Sequence, residues 1–120
     1  MAEKIIELNI QSRIVLCCMG SSGALIAGIV CSIIPNTIVY HIKKEGENAH
    51  SSNYFSFDFE DYLIIIDDFV SSGDTLRKIK AGIKRISSSL TINCIAIGGS
   101  IGSYSSIEEI NPDILICNRY

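Results

Sequence analysis

The chain has 120 residues, of which 48% are hydrophobic and 19% are charged, and its formal net charge is -3 at pH 7. A chain this short is expected to form one domain over residues 1–120, because two separate cores could hardly both bury enough surface. The apolar fraction is too high and the net charge too small for a disordered chain. The mild acidity also argues against a protein that binds nucleic acid through a large basic field.

Cysteine usage and hydropathy indicate the compartment. The five cysteines include no C-x-x-C spacing, and their odd number predicts free thiols that act as small buried hydrophobic residues in a reducing environment. Residues 14–34 are largely apolar, but residues 20–23 (GSSG) divide them into a strand-like and a helix-like half, so we expect no membrane span. The first residues lack the purely basic opening of a signal peptide, which favours a cytoplasmic protein.

The first half of the chain predicts two strands around a helix, followed by a polar loop and a further strand. Residues 14–19 form a short apolar run typical of a buried strand, and residues 24–34 predict a helix that is apolar on nearly all sides. The β-branched residues 37–42 predict a second strand. Residues 43–53 lack an apolar period and predict a loop, whereas residues 54–59 alternate aromatic and polar side chains as a half-exposed strand does.

The second half of the chain continues the alternation of strand and helix. Residues 62–66 are the most hydrophobic run and predict the central strand of a sheet. Apolar residues at helical spacing predict a helix over residues 75–86. Residues 91–97 and 114–117 predict two further strands, separated by the Gly/Ser-rich residues 98–106.

This order of elements predicts an α/β fold: one domain with a mostly parallel central sheet covered by helices on both faces. Right-handed crossovers place the ligand cleft at the carboxyl ends of the strands, so we expect the segments after Met19 and Ile66 to line it. The predicted helix over residues 75–86 carries half of the chain's 10 basic residues, which we interpret as a solvated face. These basic residues are Arg77, Lys78, Lys80, Lys84 and Arg85.

The stretch over residues 64–75, IIIDDFVSSGDT, carries the clearest chemistry. An apolar strand brings Asp67 and Asp68 to the edge of the sheet, and a loop rich in Ser and Gly then opens a helix. Backbone N–H groups at a helix start bind anions, and neighbouring carboxylates suit sugar hydroxyls and Mg²⁺. The combination indicates a phosphorylated sugar as ligand. An ordinary helix cap would explain Asp74 and Thr75, but not two acids after a buried strand.

The same stretch resembles the phosphoribosyl-pyrophosphate signature of the type I phosphoribosyltransferases, with Phe69 bulkier than the usual aliphatic residue. The resemblance implies a phosphoribosyltransferase-like, Rossmann-like domain. It implies that Asp67 and Asp68 hold the ribose hydroxyls and Mg²⁺ and stabilise positive charge on the ribose. It also implies a set of residues that hold the 5-phosphate, with Asp74 acting through its backbone N–H. This set is Ser71, Ser72, Gly73, Asp74 and Thr75.

Two further segments agree with the family in order and spacing. Gly20, Ser21 and Ser22 resemble its pyrophosphate-binding loop, although Gly/Ser turns between strand and helix are common. Residues 43–50 resemble the mobile loop that folds over the substrate, which implies that Lys44 and His50 cover the pyrophosphate. From the residues alone, a solvated polar loop explains the second segment as well.

The implied activity is transfer of ribose 5-phosphate from phosphoribosyl pyrophosphate to a purine or pyrimidine base, with Mg²⁺ as cofactor and release of pyrophosphate, as in nucleotide salvage. Family members usually carry a hood segment that helps to hold the base, and none is evident here. A non-enzymatic sensor of a nucleotide or of phosphoribosyl pyrophosphate therefore remains the alternative. A response-regulator receiver fits less well, because receivers carry an acidic pair after their first strand, whereas the acids of this chain follow the predicted central strand.

Self-association is a further expectation. The apolar residues 24–34 exceed what one face of a sheet can hide, and in the family this helix commonly lies near a dimer contact. We therefore predict a homodimer, because two-fold pairing is the commonest closed assembly. Neither nucleic acid nor a membrane is an expected partner.

Overall fold

Five strands and four helices are found in residues 1–43 and 56–117, the parts of the chain that the computed structural model describes. The strands are β1 (Ile14–Cys18), β2 (Thr37–His41), β3 (Tyr62–Asp67), β4 (Ile92–Ile97) and β5 (Ile114–Cys117). The helices are α1 (Ala2–Glu7), α2 (Gly20–Ile33), α3 (Asp74–Ile86) and α4 (Ser105–Ile110).

The strands form one parallel sheet in the order β2-β1-β3-β4-β5, which confirms the predicted α/β class and the central position of β3. From β1 the chain moves outward to β2, and from β3 it moves outward in the other direction to β4 and β5. The direction of the chain across the sheet therefore reverses between β1 and β3. In open parallel sheets, ligands bind at the carboxyl ends of the strands beside such a reversal.

The sheet is apolar on both faces because alternate side chains of its strands enter two separate cores. Leu16 and Ile64 belong to the core on the side of α2. Cys17 and Ile65 belong to the opposite core, which includes the inner face of α3. The two helices thus cover opposite faces of the sheet, and both begin near its carboxyl edge.

The cysteines of the central strands are buried free thiols. Cys17, Cys18 and Cys94 have no solvent exposure, and none forms a disulfide. Burial raises the pKa of Cys94 to about 12, and burial together with the charge of Asp67 raises the pKa of Cys18 to about 11. These thiols remain protonated at neutral pH and serve as small hydrophobic residues, as predicted.

The predicted strand over residues 54–59 is wrong for residues 56–59, and residues 54 and 55 lie outside the described ranges. Local hydrogen bonds replace strand pairing here. The N–H of Asp61 donates to the carbonyl of Asp58 (3.0 Å), and the N–H of Asp58 donates to Oδ2 of Asp61 (2.8 Å). Arg13 Nη2 donates to the carbonyl of Ser56 (3.0 Å). Aspartate side chains commonly stabilise turns in this way, and residues 58–61 form a turn before β3.

Three helical segments differ from prediction. Helix α2 begins at Gly20, four residues before the predicted start, and α1 and α4 were not predicted. Leu25, Ile29 and Ile33 of α2 have exposed side chains, so the sheet covers only part of this apolar helix. No helix in residues 1–43 and 56–117 is long and apolar enough to cross a membrane.

Candidate functional site

A cleft of about 1000 Å³ lies at the carboxyl ends of β1 and β3, where the sheet changes direction. Both segments predicted to line a cleft, those after Met19 and Ile66, contribute to its walls. The remainder of the lining comes from one residue after β2 and from one side of α3. The lining residues are 19–23 and 67–69, with Lys43, Thr75, Lys78, Ala81 and Arg85.

Two adjacent carboxylates stand where β3 ends. Asp67 is only 6% exposed, whereas Asp68 is half-buried. Oδ1 of Asp67 accepts a hydrogen bond from the N–H of Asp68 (2.9 Å), and Oδ1 of Asp68 accepts one from the N–H of Phe69 (3.0 Å). Burial, followed by the neighbouring Asp68, raises the pKa of Asp67 to about 7. A pKa shifted so far in a cleft is typical of functional carboxylates.

The loop after the acidic pair encloses a small hollow. Residues 67–76 line a cavity of about 100 Å³, which is large enough for one phosphate group. Within the described residues, the backbone N–H groups of Ser71, Ser72, Gly73 and Thr75 donate no hydrogen bond. We call residues 71–75 the phosphate loop, after the ligand that we propose for them. Its N–H groups lie at the start of α3, where the helix dipole favours an anion.

Two residues give the phosphate loop its shape. Gly73 has a φ of +93°, a left-handed conformation that favours glycine. The hydroxyl of Ser72 accepts a hydrogen bond from the N–H of Asp74 (3.3 Å). The structure therefore gives the Asp74 N–H an intramolecular partner, whereas the neighbouring N–H groups lack one within the described residues.

The predicted loop over residues 20–23 is instead the first turn of α2. Gly20 has a φ of +81°, which allows the chain to pass from β1 into the helix through Met19 alone. No side chain caps this helix start, and the N–H groups of Gly20, Ser21 and Ser22 donate no hydrogen bond within the described residues. They line the cleft opposite α3. The three residues nevertheless keep the predicted position, because all of them line the cleft.

Basic residues on α3 were missed as part of the site. Lys78 and Arg85 line the cleft with Lys43, although the sequence favoured a merely solvated helix face. Within the described residues, these three side chains make no hydrogen bond or ion pair. The signal was available in their spacing, because Lys78 and Arg85 follow Thr75 by three and ten residues, which places them on one side of a helix.

Two expected site residues, Lys44 and His50, lie outside the described residues. The other expected residues all lie along the carboxyl edge of β1 and β3, in two groups. The group from α2 and the acidic pair line the cleft, and the phosphate loop forms the adjoining hollow.

The acidic pair fits a magnesium ion whose remaining ligands come from a bound substrate and from water. In residues 1–43 and 56–117, no cluster of three or more His, Cys, Asp or Glu side chains could hold a metal. Mg²⁺ commonly uses only one or two carboxylates and takes its remaining ligands from phosphate oxygens and water. Asp67 and Asp68 supply two such carboxylates, and a metal here would depend on a phosphorylated ligand for further oxygen ligands.

Comparison of the chain with protein-family models, with curated protein sequences and with solved structures gave no match.

Proposed function

We propose that this protein is a phosphoribosyltransferase, which transfers ribose 5-phosphate from phosphoribosyl pyrophosphate to a nitrogenous base and releases pyrophosphate. One observation carries the proposal: an acidic pair lies directly beside a phosphate-sized hollow, and several residues of that hollow have backbone N–H groups with no partner within the described residues. A sugar phosphate needs carboxylates for its hydroxyls and a phosphate site close by, and here only a few residues of chain separate the two. The resemblance of residues 64–75 to the family signature supports the same conclusion.

The phosphate loop is proposed to hold the 5-phosphate. Within the described residues, the backbone N–H groups of Ser71, Ser72, Gly73 and Thr75 are available as donors, and the hydroxyls of Ser71 and Thr75 lie in the same loop. The start of α3 adds a favourable field for a dianion. Binding at this point fixes one end of the substrate and thereby orients its ribose toward Asp67 and Asp68.

The acidic pair is proposed to act on the ribose. In the reaction, the bond between C1 of the ribose and pyrophosphate breaks, and its electron pair leaves with pyrophosphate. A nitrogen of the base forms the new bond to C1 and gives up its proton to the solvent. Positive charge develops on the ribose ring as this happens. Asp67 and Asp68 would bind the ribose hydroxyls and stabilise that charge electrostatically. They would also hold Mg²⁺, which neutralises phosphate charge when it is bound.

The opposite wall of the cleft is proposed to hold pyrophosphate. The N–H groups of Gly20, Ser21 and Ser22 are free to donate within the described residues, and three cations line the same cleft. Lys43, Lys78 and Arg85 would offset the negative charge of the leaving group. Lys44 and His50, which the family resemblance adds, remain proposed contacts outside the described residues.

A base is proposed to stack on Phe69. This side chain is 53% exposed and lines the cleft immediately after the acidic pair. An exposed aromatic ring beside a ribose site offers a planar apolar surface for a purine or pyrimidine. The bulk of Phe69, which distinguishes this chain from the family pattern, then has a role in binding the acceptor.

The proposal is tested by measuring pyrophosphate release from phosphoribosyl pyrophosphate and Mg²⁺ with a panel of purine and pyrimidine bases. We expect release with at least one base, and loss of release in Asp67→Asn. Asp113→Asn, an exposed aspartate before β5, is the matched control and should retain the wild-type rate. Binding of phosphoribosyl pyrophosphate without release for any base would contradict the enzyme and favour the sensor.

A further inference from the structure

The phosphate loop is tied to α4 by one arginine of α3. Arg77 Nη1 donates to the carbonyl of Ser72 (3.2 Å) and lies 3.4 Å from Oδ1 of Asp74. Its Nε donates to Oε2 of Glu109 (2.8 Å), and its Nη2 donates to Oε1 of the same carboxylate (3.3 Å) and to Oγ of Ser105 (3.1 Å). One guanidinium therefore connects the loop, α3 and α4.

A packing contact joins the same two elements. A Cβ atom built on Gly73 would overlap the side chain of Ser106 in α4. Ser106 is fully buried, and its hydroxyl has no hydrogen-bond partner within the described residues. The tightest turn of the phosphate loop thus rests directly on α4, so that a shift of either element disturbs the other.

The contact between Arg77 and Ser72 also controls a backbone donor. The carbonyl of Ser72 and the N–H of Gly73 belong to one planar trans peptide unit and point in opposite directions. Because Arg77 holds the carbonyl, the N–H of Gly73 is directed away from Arg77. Ser72 and Gly73 line the hollow, and this N–H is one of its unpaired donors within the described residues.

The positive charge of Arg77 is paired with the carboxylate of Glu109. Hydrogen bonds and charge from Arg77 lower the pKa of Glu109, so the carboxylate is ionised at neutral pH. Arg77 does not line the cleft, unlike Lys78 and Arg85. Its geometry suits the fixing of a loop by a bidentate bridge more than direct contact with an anion.

We propose that Arg77 is a positioning residue: held by Glu109 of α4, it fixes the Ser72–Gly73 peptide in the orientation that binds phosphate. This inference rests on the proposed function for the identity of the ligand. Preorganisation of a binding loop increases affinity, because the bound ligand need not then order the loop.

The test compares the affinities of three probes by titration calorimetry: ribose 5-phosphate, inorganic phosphate and pyrophosphate with Mg²⁺. We expect Arg77→Gln to weaken ribose 5-phosphate and inorganic phosphate roughly tenfold, the usual size of one lost charge-assisted hydrogen bond, and to leave pyrophosphate unchanged. Arg77→Lys should give an intermediate loss, because an ammonium cannot bridge Glu109 and Ser72 with the same geometry.

A second variant keeps Arg77 itself in place. Glu109→Gln should weaken the two phosphate probes by severalfold, whereas Glu108→Gln, the exposed neighbour on α4, should leave them unchanged. An equal loss for all three probes, or no loss for ribose 5-phosphate and inorganic phosphate, would overturn the inference. If the wild type binds inorganic phosphate but not ribose 5-phosphate, the proposed function fails, and loss of phosphate binding in Arg77→Gln would still support the positioning role. If the wild type binds none of the probes, both proposals fail.

Discussion

The carboxylate of Asp67 accepts a hydrogen bond from the backbone N–H of Asp68, with 2.9 Å between Oδ1 and N. Asp67 is the last residue of β3, and Asp68 is the first residue beyond it. One side chain is buried and the other half-buried. Two carboxylates this close resist simultaneous ionisation unless a cation or a hydrogen-bond donor joins them. Ionisation of both acids is therefore unfavourable in the folded protein, and a bound cation or hydrogen-bond donor would make it favourable.

This relationship predicts that Asp67→Asn stabilises the protein at alkaline pH. The pKa of Asp67 is about 7 in the folded protein and has its ordinary value near 3.9 in the unfolded chain. Between these values the folded state binds the extra proton, so this group's contribution to the free energy of unfolding falls as pH rises from about 4 to about 7 and then levels off. Asparagine cannot ionise and can still accept the N–H of Asp68. We expect a gain of roughly 2–4 kcal/mol at pH 8, since one pKa unit corresponds to about 1.4 kcal/mol.

Urea unfolding of the wild type, Asp67→Asn and Asp113→Asn at pH 5 and pH 8 checks this prediction. The gain from Asp67→Asn should be larger at pH 8 than at pH 5, and the control should show no such difference. A variant that is less stable than the wild type at pH 8 would show that the carboxylate is not strained in the folded protein.

The cations of the cleft predict a charge-dependent affinity. Lys78→Gln and Arg85→Gln should each weaken pyrophosphate binding severalfold, and the loss should shrink at high salt because exposed charges are screened. Lys80→Gln, which removes a charge from the same helix outside the cleft lining, is the control. Titrations at 50 mM and 500 mM salt measure the effect. Equal losses for all three variants would indicate a general field rather than a binding wall.

An ion pair at the start of β3, away from the candidate site, predicts that the stability of the protein falls in acid. Arg13 donates two hydrogen bonds to Asp61 (2.9 and 2.7 Å), whose side chain is 2% exposed. Burial opposes ionisation of Asp61, but hydrogen bonds from Arg13 and from the N–H of Asp58 outweigh it and lower its pKa. A lowered pKa contributes stability that is present above the unfolded pKa, near 3.9, and is lost as pH falls through the folded value.

Asp61→Asn should therefore destabilise the protein by roughly 3 kcal/mol at pH 7, because it leaves Arg13 without its buried partner. The difference from wild type should shrink at pH 3. Asp58→Asn is the matched control, since that side chain is 75% exposed and lies 3.9 Å from Arg13. Thermal or urea unfolding at the two pH values measures both. A cost of Asp61→Asn that does not change with pH would contradict the role of its charge.

The exposed face of α2 predicts a symmetric dimer. Leu25, Ile29 and Ile33 are 68%, 54% and 55% exposed and recur every fourth residue. Burying such side chains contributes ~1.5–3 kcal/mol each, against a comparable cost of lost rigid-body freedom. Sedimentation at micromolar concentration should give twice the 13.1 kDa mass, and Ile29→Asp should restore the monomer. Phe59→Ser, which changes another exposed apolar residue, should not. A monomeric wild type would contradict the prediction.

The fold was predictable where burial dominates the local sequence. Residues 62–66 are continuously apolar, and only a strand covered on both faces accommodates such a run, so the central position of β3 followed directly. By contrast, α4 is only six residues long, and its buried residues are Ser106 and Ile107. A helix this short depends on tertiary packing, which a periodic pattern cannot reveal.

The site was predictable in its acidic pair and phosphate loop, because both are contiguous in sequence. Gly20–Ser22 were assigned to a loop since glycine and serine have low helix propensity, yet a first helical turn tolerates them. Lys78 and Arg85 were not assigned to the site, because a basic residue on an outer helix turn is usually only solvated. Their spacing places them on the same side of α3 as Thr75, but the orientation of that side toward the cleft depends on how α3 packs against the sheet.

The most direct measurement of the central proposal is titration calorimetry of phosphoribosyl pyrophosphate into the protein with and without Mg²⁺. We expect saturable binding that requires Mg²⁺ in the wild type and in Asp113→Asn. The double variant Asp67→Asn with Asp68→Asn should remain folded and should lose Mg²⁺-dependent binding, because both acids lie at the end of a strand and outside the apolar cores. Absence of binding by the wild type with Mg²⁺ present, or full affinity in the folded double variant, would contradict the proposed site.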